Sequence, residues 1–117
     1  MNYALILHYF PDGDLRKSLF KNTTNHLTWE SKLHQLQDIC DNLKAIHGGD
    51  YVHRDIHSGN ILLGSLTHLT DFGLTRPATD SVHSTKMGTY GVIPYMAPEL
   101  FRGEPHSKAS DIYAIGL

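Results

Sequence analysis

His53-Arg54-Asp55-Ile56-His57-Ser58-Gly59-Asn60 decides the reading of this chain. A carboxylate at Asp55 is followed five residues later by the side-chain amide of Asn60. This pairs a group able to take or orient a hydroxyl proton with an oxygen able to hold a divalent cation. Sixteen residues beyond Asp55, Asp71-Phe72-Gly73 adds a second cation-binding carboxylate and a flexible turn. Ala97-Pro98-Glu99 closes the segment that follows. Each short motif alone is weak, and their order along one stretch is what carries information.

In that order the three motifs resemble those of a eukaryotic-type protein kinase, tyrosine-kinase-like or serine/threonine. The resemblance runs from Tyr3-Ala4-Leu5-Ile6-Leu7-His8-Tyr9-Phe10, similar to the last small-lobe strand and hinge, to Asp111-Ile112-Tyr113-Ala114-Ile115-Gly116-Leu117, similar to the start of the central large-lobe helix. It implies an α+β fold, a mainly helical large lobe with short β-hairpins, truncated at both ends. Residues 1–10 would be small-lobe strand and hinge, and residues 11–117 an incomplete large lobe. The Gly-rich loop and strand lysine that hold ATP phosphates in such enzymes do not occur in the sequence. The chain is therefore expected to be inactive alone.

By that resemblance Asp55 is the catalytic carboxylate, Asn60 and Asp71 hold Mg2+, and ATP is the phosphoryl donor to a protein substrate. Arg54 would pair with a phosphorylated activation segment, whose candidate acceptors are Ser81, Ser84, Thr85, Thr89 and Tyr90. Backbone groups of His8 and Phe10, with Leu7 as gatekeeper and Leu62 beneath the ring, would form the adenine pocket, and Asp14 would bind ribose. His53, Phe72, Gly73, Glu99 and Asp111 would be structural.

Two departures stand out. His57 occupies a position where many kinases have lysine, and Gly59 one where tyrosine kinases tend to have arginine. His57 could act as a cation against the γ-phosphate or, neutral, as a space-filling or hydrogen-bonding group, and the sequence leaves both open. Val92 matches neither kinase class in the segment similar to a substrate-docking loop, while Gly91 and Tyr95 favour serine/threonine over tyrosine. The rival reading is a non-catalytic kinase-like interaction module.

Bulk properties narrow the field. With 117 residues, 40% hydrophobic, 19% charged and net charge -2, the chain is ordinary for a globular domain and gives no reason to expect a nucleic-acid partner. Cys40 is the sole cysteine, so no internal disulfide is possible, and cytoplasm is the default compartment. The apolar run 3–7 is too short to span a bilayer, and no membrane insertion is expected. His53 and His57 have the spacing of helical zinc ligands, but Arg54 follows the first and Gly59 breaks helix nearby.

Periodicity gives the coarse structure. Tyr3 to Leu7 reads as a buried strand, the turn Pro11-Asp12-Gly13-Asp14 leads into a short helix from Leu15 to Phe20, and Asn22 to Asn25 is a polar loop. From an N-cap at Thr28, apolar residues at Trp29, Leu33, Leu36, Ile39, Leu43 and Ile46 predict a long helix stopped at Gly48-Gly49. Short strands at Tyr51-Val52, Ile61 to Leu63 and Leu66 to Thr70 surround the loop. Leu74 to Tyr90 reads as a mobile segment, and further helices start at Pro98 and near Ala109.

Overall fold

The computed structural model describes residues 3–21, 28–80 and 91–117. Among the described residues, four helices and two antiparallel strand pairs make an α+β fold: α1 (Leu15–Phe20), α2 (Trp29–Gly48), β1 (Tyr51–Val52), β2 (Ile61–Leu62), β3 (His68–Leu69), β4 (Arg76–Pro77), α3 (Pro98–Phe101) and α4 (Lys108–Ile115). Single 3-10 turns span Ser58–Asn60 and Ile93–Tyr95.

Local chemistry starts each helix. The Asp14 carboxylate accepts the Lys17 amide at 2.8 Å, and that bond draws its pKa below the ordinary value. Thr28 Oγ1 accepts the Ser31 amide at 3.1 Å, and Ser107 and Ser110 form a reciprocal capping box on α4. The long helix ends at Gly49, where the Gly49 amide returns to the Ala45 carbonyl.

The core is small and lies under the loop. Ile39 and Leu43 of α2 pack with Ile56, Ile61, Leu69 and Ala114, and Met96, Ala97 and Leu100 form a second cluster. Polar residues of α2 fix the β2–β3 hairpin: Asp38 accepts the Thr67 amide at 2.8 Å and Asn42 the Leu69 amide at 3.3 Å. In the hairpin Ile61 faces Leu69. In the other pair β1 meets β4, with Val52 opposite Arg76.

Two expectations fail. Residues 3–10 form no strand, and Tyr3, Leu5, Ile6 and Leu7 are exposed. A strand needs a neighbour to satisfy its amides and cover its side chains, and none of the described residues offers it an edge. The apolar stripe of α2 is covered only at its C-terminal half, since Trp29, Leu33 and Leu36 remain exposed. Conversely, Arg76–Pro77 within the expected mobile segment pairs with β1. The polar loop 22–25 lies outside the described residues.

So much uncovered apolar surface, Phe20, Trp29, Ile93 and Phe101 included, favours association in water. The purified 117-residue chain is expected to bind an apolar dye and to sediment as a mixture of oligomers. A monodisperse monomer with one cooperative unfolding transition would contradict this.

Candidate active site

The loop between β1 and β2 is held from beneath by Asp111 of α4, which is buried. Its carboxylate accepts the His53 amide at 2.8 Å, the Arg54 amide at 2.9 Å and His47 Nε2 at 2.9 Å. Arg54 sits at φ 75°, a region that costs a residue with a Cβ energy and must be held there. Two charge-assisted bonds to consecutive amides supply that hold.

His53 is fully buried in the middle of the loop. Its Nδ1 accepts the Asp55 amide at 3.3 Å and its Nε2 lies 3.1 Å from the Thr70 carbonyl. A carbonyl only accepts and an amide only donates, so the ring is neutral with its proton on Nε2. Burial pushes its pKa down, against the opposing pull of Asp111, the Thr70 carbonyl, Asp55 and Asp71. Its ring also packs against Phe72, with centroids 5.5 Å apart. Phe72 itself remains exposed, so of the two only His53 is interior.

The Asn60 side-chain amide donates to the Asp55 carbonyl at 2.9 Å and to Asp55 Oδ2 at 3.0 Å. This aims the carboxylate and leaves the Asn60 amide oxygen without a hydrogen bond among the described residues. The Thr70 amide donates to the Asn60 carbonyl at 2.9 Å, so Asn60 and Asp71 leave the same end of the β2–β3 hairpin side by side. Asp71 adopts φ 62° and accepts the Gly73 amide at 3.2 Å. A Cβ on Gly73 would meet Asp71 Oδ1 at 3.2 Å, so a side chain there would make the carboxylate shift. Oxygen donors from an amide and a carboxylate are the donor set a hard divalent cation takes. The residues present fit Mg2+.

Around this centre, His57 Nε2 lies 3.5 Å from Asp55 Oδ1. Its Nδ1 accepts the Gly59 amide at 3.1 Å, capping the 3-10 turn that carries Asn60. The Tyr95 hydroxyl donates to Ser58 Oγ at 3.0 Å, tying the segment before α3 to the same turn.

The expected adenine-site residues are less gathered. The Phe10 ring stacks edge-on to His8 at 4.9 Å and lies 5.2 Å from His68. Asp14 forms a β-bridge with Leu62 and its carboxylate caps α1. Leu7 is exposed, not buried as its apolar character suggested. Glu99 forms no ion pair among the described residues, and Ser81, Ser84, Thr85, Thr89 and Tyr90 lie outside them.

Three contributors escaped the sequence reading. Arg76 reaches the same small cavity as Arg54, lined also by Val52, Pro77, Asp80, Pro105 and His106. There Arg54 Nε is buried with no hydrogen-bond partner among the described residues. Burial and the neighbouring Arg76 charge lower the Arg54 pKa, against Asp80 and Asp111. Arg16 likewise reaches the loop from α1, at His57, while His47 at the end of α2 bonds Asp111, the carboxylate that holds the loop. A cation five residues after Asp71 was the one local signal available for Arg76.

The family model described as protein tyrosine and serine/threonine kinase matches residues 1–117. The chain belongs to this protein kinase family. Among curated relatives, an L-type lectin-domain containing receptor kinase, S.1, of Arabidopsis thaliana is 32% identical over 97% of the chain and 18% of its own length. A probable L-type lectin-domain containing receptor kinase, S.5, is 37% identical over 98% and 19%. A probable LRR receptor-like serine/threonine-protein kinase, from the same plant, is 36% identical over 99% and 14%. The chain thus spans less than a fifth of the length of these relatives. No helix among the described residues is long and apolar enough to cross a membrane.

Neutral His53 gives the kinase loop a pH dependence. Its folded pKa lies below the ordinary 6.5, so on acidification the unfolded chain takes up protons first. The stability it contributes is complete above about pH 6.5 and is lost as pH falls from there toward the folded pKa. Amide-exchange protection at Asp55, corrected for intrinsic rate, is expected to fall between about pH 7.5 and about pH 5.5. Protection that stays level would contradict the neutral assignment.

Proposed function

We propose that the protein containing this chain transfers the γ-phosphoryl group of ATP to a protein hydroxyl, on serine or threonine in preference to tyrosine. The observation that carries the reading is the Asn60 amide donating to Asp55 at 3.0 Å while its own oxygen stays available beside Asp71. One residue thereby orients the base and offers a cation ligand.

Asp55 accepts or orients the proton of the attacking hydroxyl. Asn60 and Asp71 would hold Mg2+, which supplies charge neutralisation to the ATP phosphates. Leu7, Leu62 and the backbone of His8 and Phe10 would line the adenine site, and Asp14 would reach ribose. Arg54, with Arg76 beside it, would take a phosphate on the segment holding Ser81, Ser84, Thr85, Thr89 and Tyr90. An unpartnered buried guanidinium nitrogen next to a second cation suits an anion.

The serine/threonine preference draws on Gly91, Tyr95 and the likeness to plant receptor-like serine/threonine-protein kinases. Residues 1–10 would be the small-lobe strand and hinge and residues 11–117 part of the large lobe. ATP chemistry places them in the cytoplasm, and a receptor-kinase parent would hold them at the cytoplasmic face of a membrane. The 117 residues carry no Gly-rich loop or strand lysine, so they are expected to be inactive alone.

In the complete kinase domain, Asp55→Asn is expected to lower turnover about 10²–10⁴-fold with nucleotide affinity nearly unchanged. Asp71→Asn is expected to weaken magnesium-nucleotide binding as well. Near-full turnover of Asp55→Asn would remove the catalytic assignment, and nucleotide binding without turnover in the wild type would favour an interaction module.

A further inference from the structure

Arg16 Nη2 lies 3.2 Å from His57 Nδ1, across 41 residues of sequence. A guanidinium has donors and no acceptor, so Nδ1 must present its lone pair. The Gly59 amide makes the same demand of the same atom at 3.1 Å. Two donors converging on Nδ1 leave the ring proton on Nε2, the nitrogen that faces Asp55 Oδ1 at 3.5 Å. Protonating His57 would break both bonds at Nδ1 and set a second cation against Arg16.

Gly59 makes room for this arrangement. A Cβ there would come within 3.1 Å of Arg16 Nη2 and 3.0 Å of the His57 ring. A larger residue at 59 would displace the guanidinium, the ring or both. Asn60 already directs its side-chain amide at Asp55 Oδ2, so the two carboxylate oxygens each face a different N–H, one from Asn60 and one from His57.

We infer that Arg16 is a positioning residue that locks His57 in its neutral Nε2–H tautomer and carries the permanent positive charge that position 57 lacks. The charge enters the site from α1, one imidazole ring away from the catalytic carboxylate. The two departures noted in the sequence, His57 and Gly59, then belong to one device: the imidazole bridges Arg16 to Asp55, and the glycine clears the space for the bridge. The significance of the device for catalysis rests on the role proposed for Asp55, whereas the tautomer itself does not.

The test reads the tautomer directly, without nucleotide or turnover. In the complete protein labelled with 15N-histidine, the ring signals absent from His57→Gln are those of His57. The wild type is expected to show a protonated Nε2 and an unprotonated Nδ1 at neutral pH. Arg16→Met is expected to bring the two nitrogen signals together as the tautomers mix, and Arg16→Lys, which keeps a cationic donor, to restore the separation. Gly59→Ala, which crowds the guanidinium without removing it, is expected to behave like Arg16→Met. A mixed or Nδ1-protonated ring in the wild type would overturn the inference. So would wild-type signals in both Arg16→Met and Gly59→Ala, since the Gly59 amide alone would then suffice. The outcome is independent of whether the protein proves to be a phosphotransferase.

Discussion

One buried carboxylate organises the site. Asp111 accepts two consecutive loop amides and a histidine ring nitrogen, and each hydrogen bond to a charged group contributes about 1.5–3 kcal/mol. That is enough to hold Arg54 at positive φ, a conformation costing about 1–3 kcal/mol. With Arg54 turned this way, His53 faces inward, the Asp55 amide is engaged, and the Asp55 side chain is delivered to Asn60 and His57. The clasp is anchored because α4 starts on a capping box and Ala114 packs into the core with Ile39 and Leu43.

Two histidines of the loop each accept a backbone amide at Nδ1 and turn Nε2 to another group. His53 accepts at Nδ1 from the amide of Asp55 and donates from Nε2 to Thr70, joining the loop to the strand that precedes Asp71. His57 accepts at Nδ1 and turns Nε2 toward the Asp55 side chain. Between them the backbone and the carboxylate of one residue are both oriented. Asn60 and Asp71 are placed differently, by a hairpin whose register puts them at one end.

What was legible in the sequence followed from local rules. Thr28 as a cap, Gly48-Gly49 as a stop, Pro98 as a helix start and the spacing of Asp55, Asn60 and Asp71 depend on residues near one another in the chain. The failures share a different cause. Whether Leu7 or Trp29 is covered depends on what packs over it, and apolar character alone does not supply a neighbour. The pairing of Arg76 with Val52, the bond of His47 to Asp111 and the reach of Arg16 to His57 depend on contacts between distant segments that no periodicity reports. Gly59 was visible as a departure, yet its meaning needed the Arg16 guanidinium beside it.

In the function proposed above, Asn60 and Asp71 form one cation site next to the Asp55 carboxylate. The most direct test is to replace Mg2+ with paramagnetic Mn2+ in the complete domain with nucleotide and record side-chain and amide resonances. Signals of Asn60 and Asp71 are expected to broaden first, with Asp55 following, while exposed carboxylates such as Asp41 and Glu104 keep their intensity until excess metal is added. Broadening that begins at the exposed carboxylates, with Asn60 and Asp71 untouched, would contradict it.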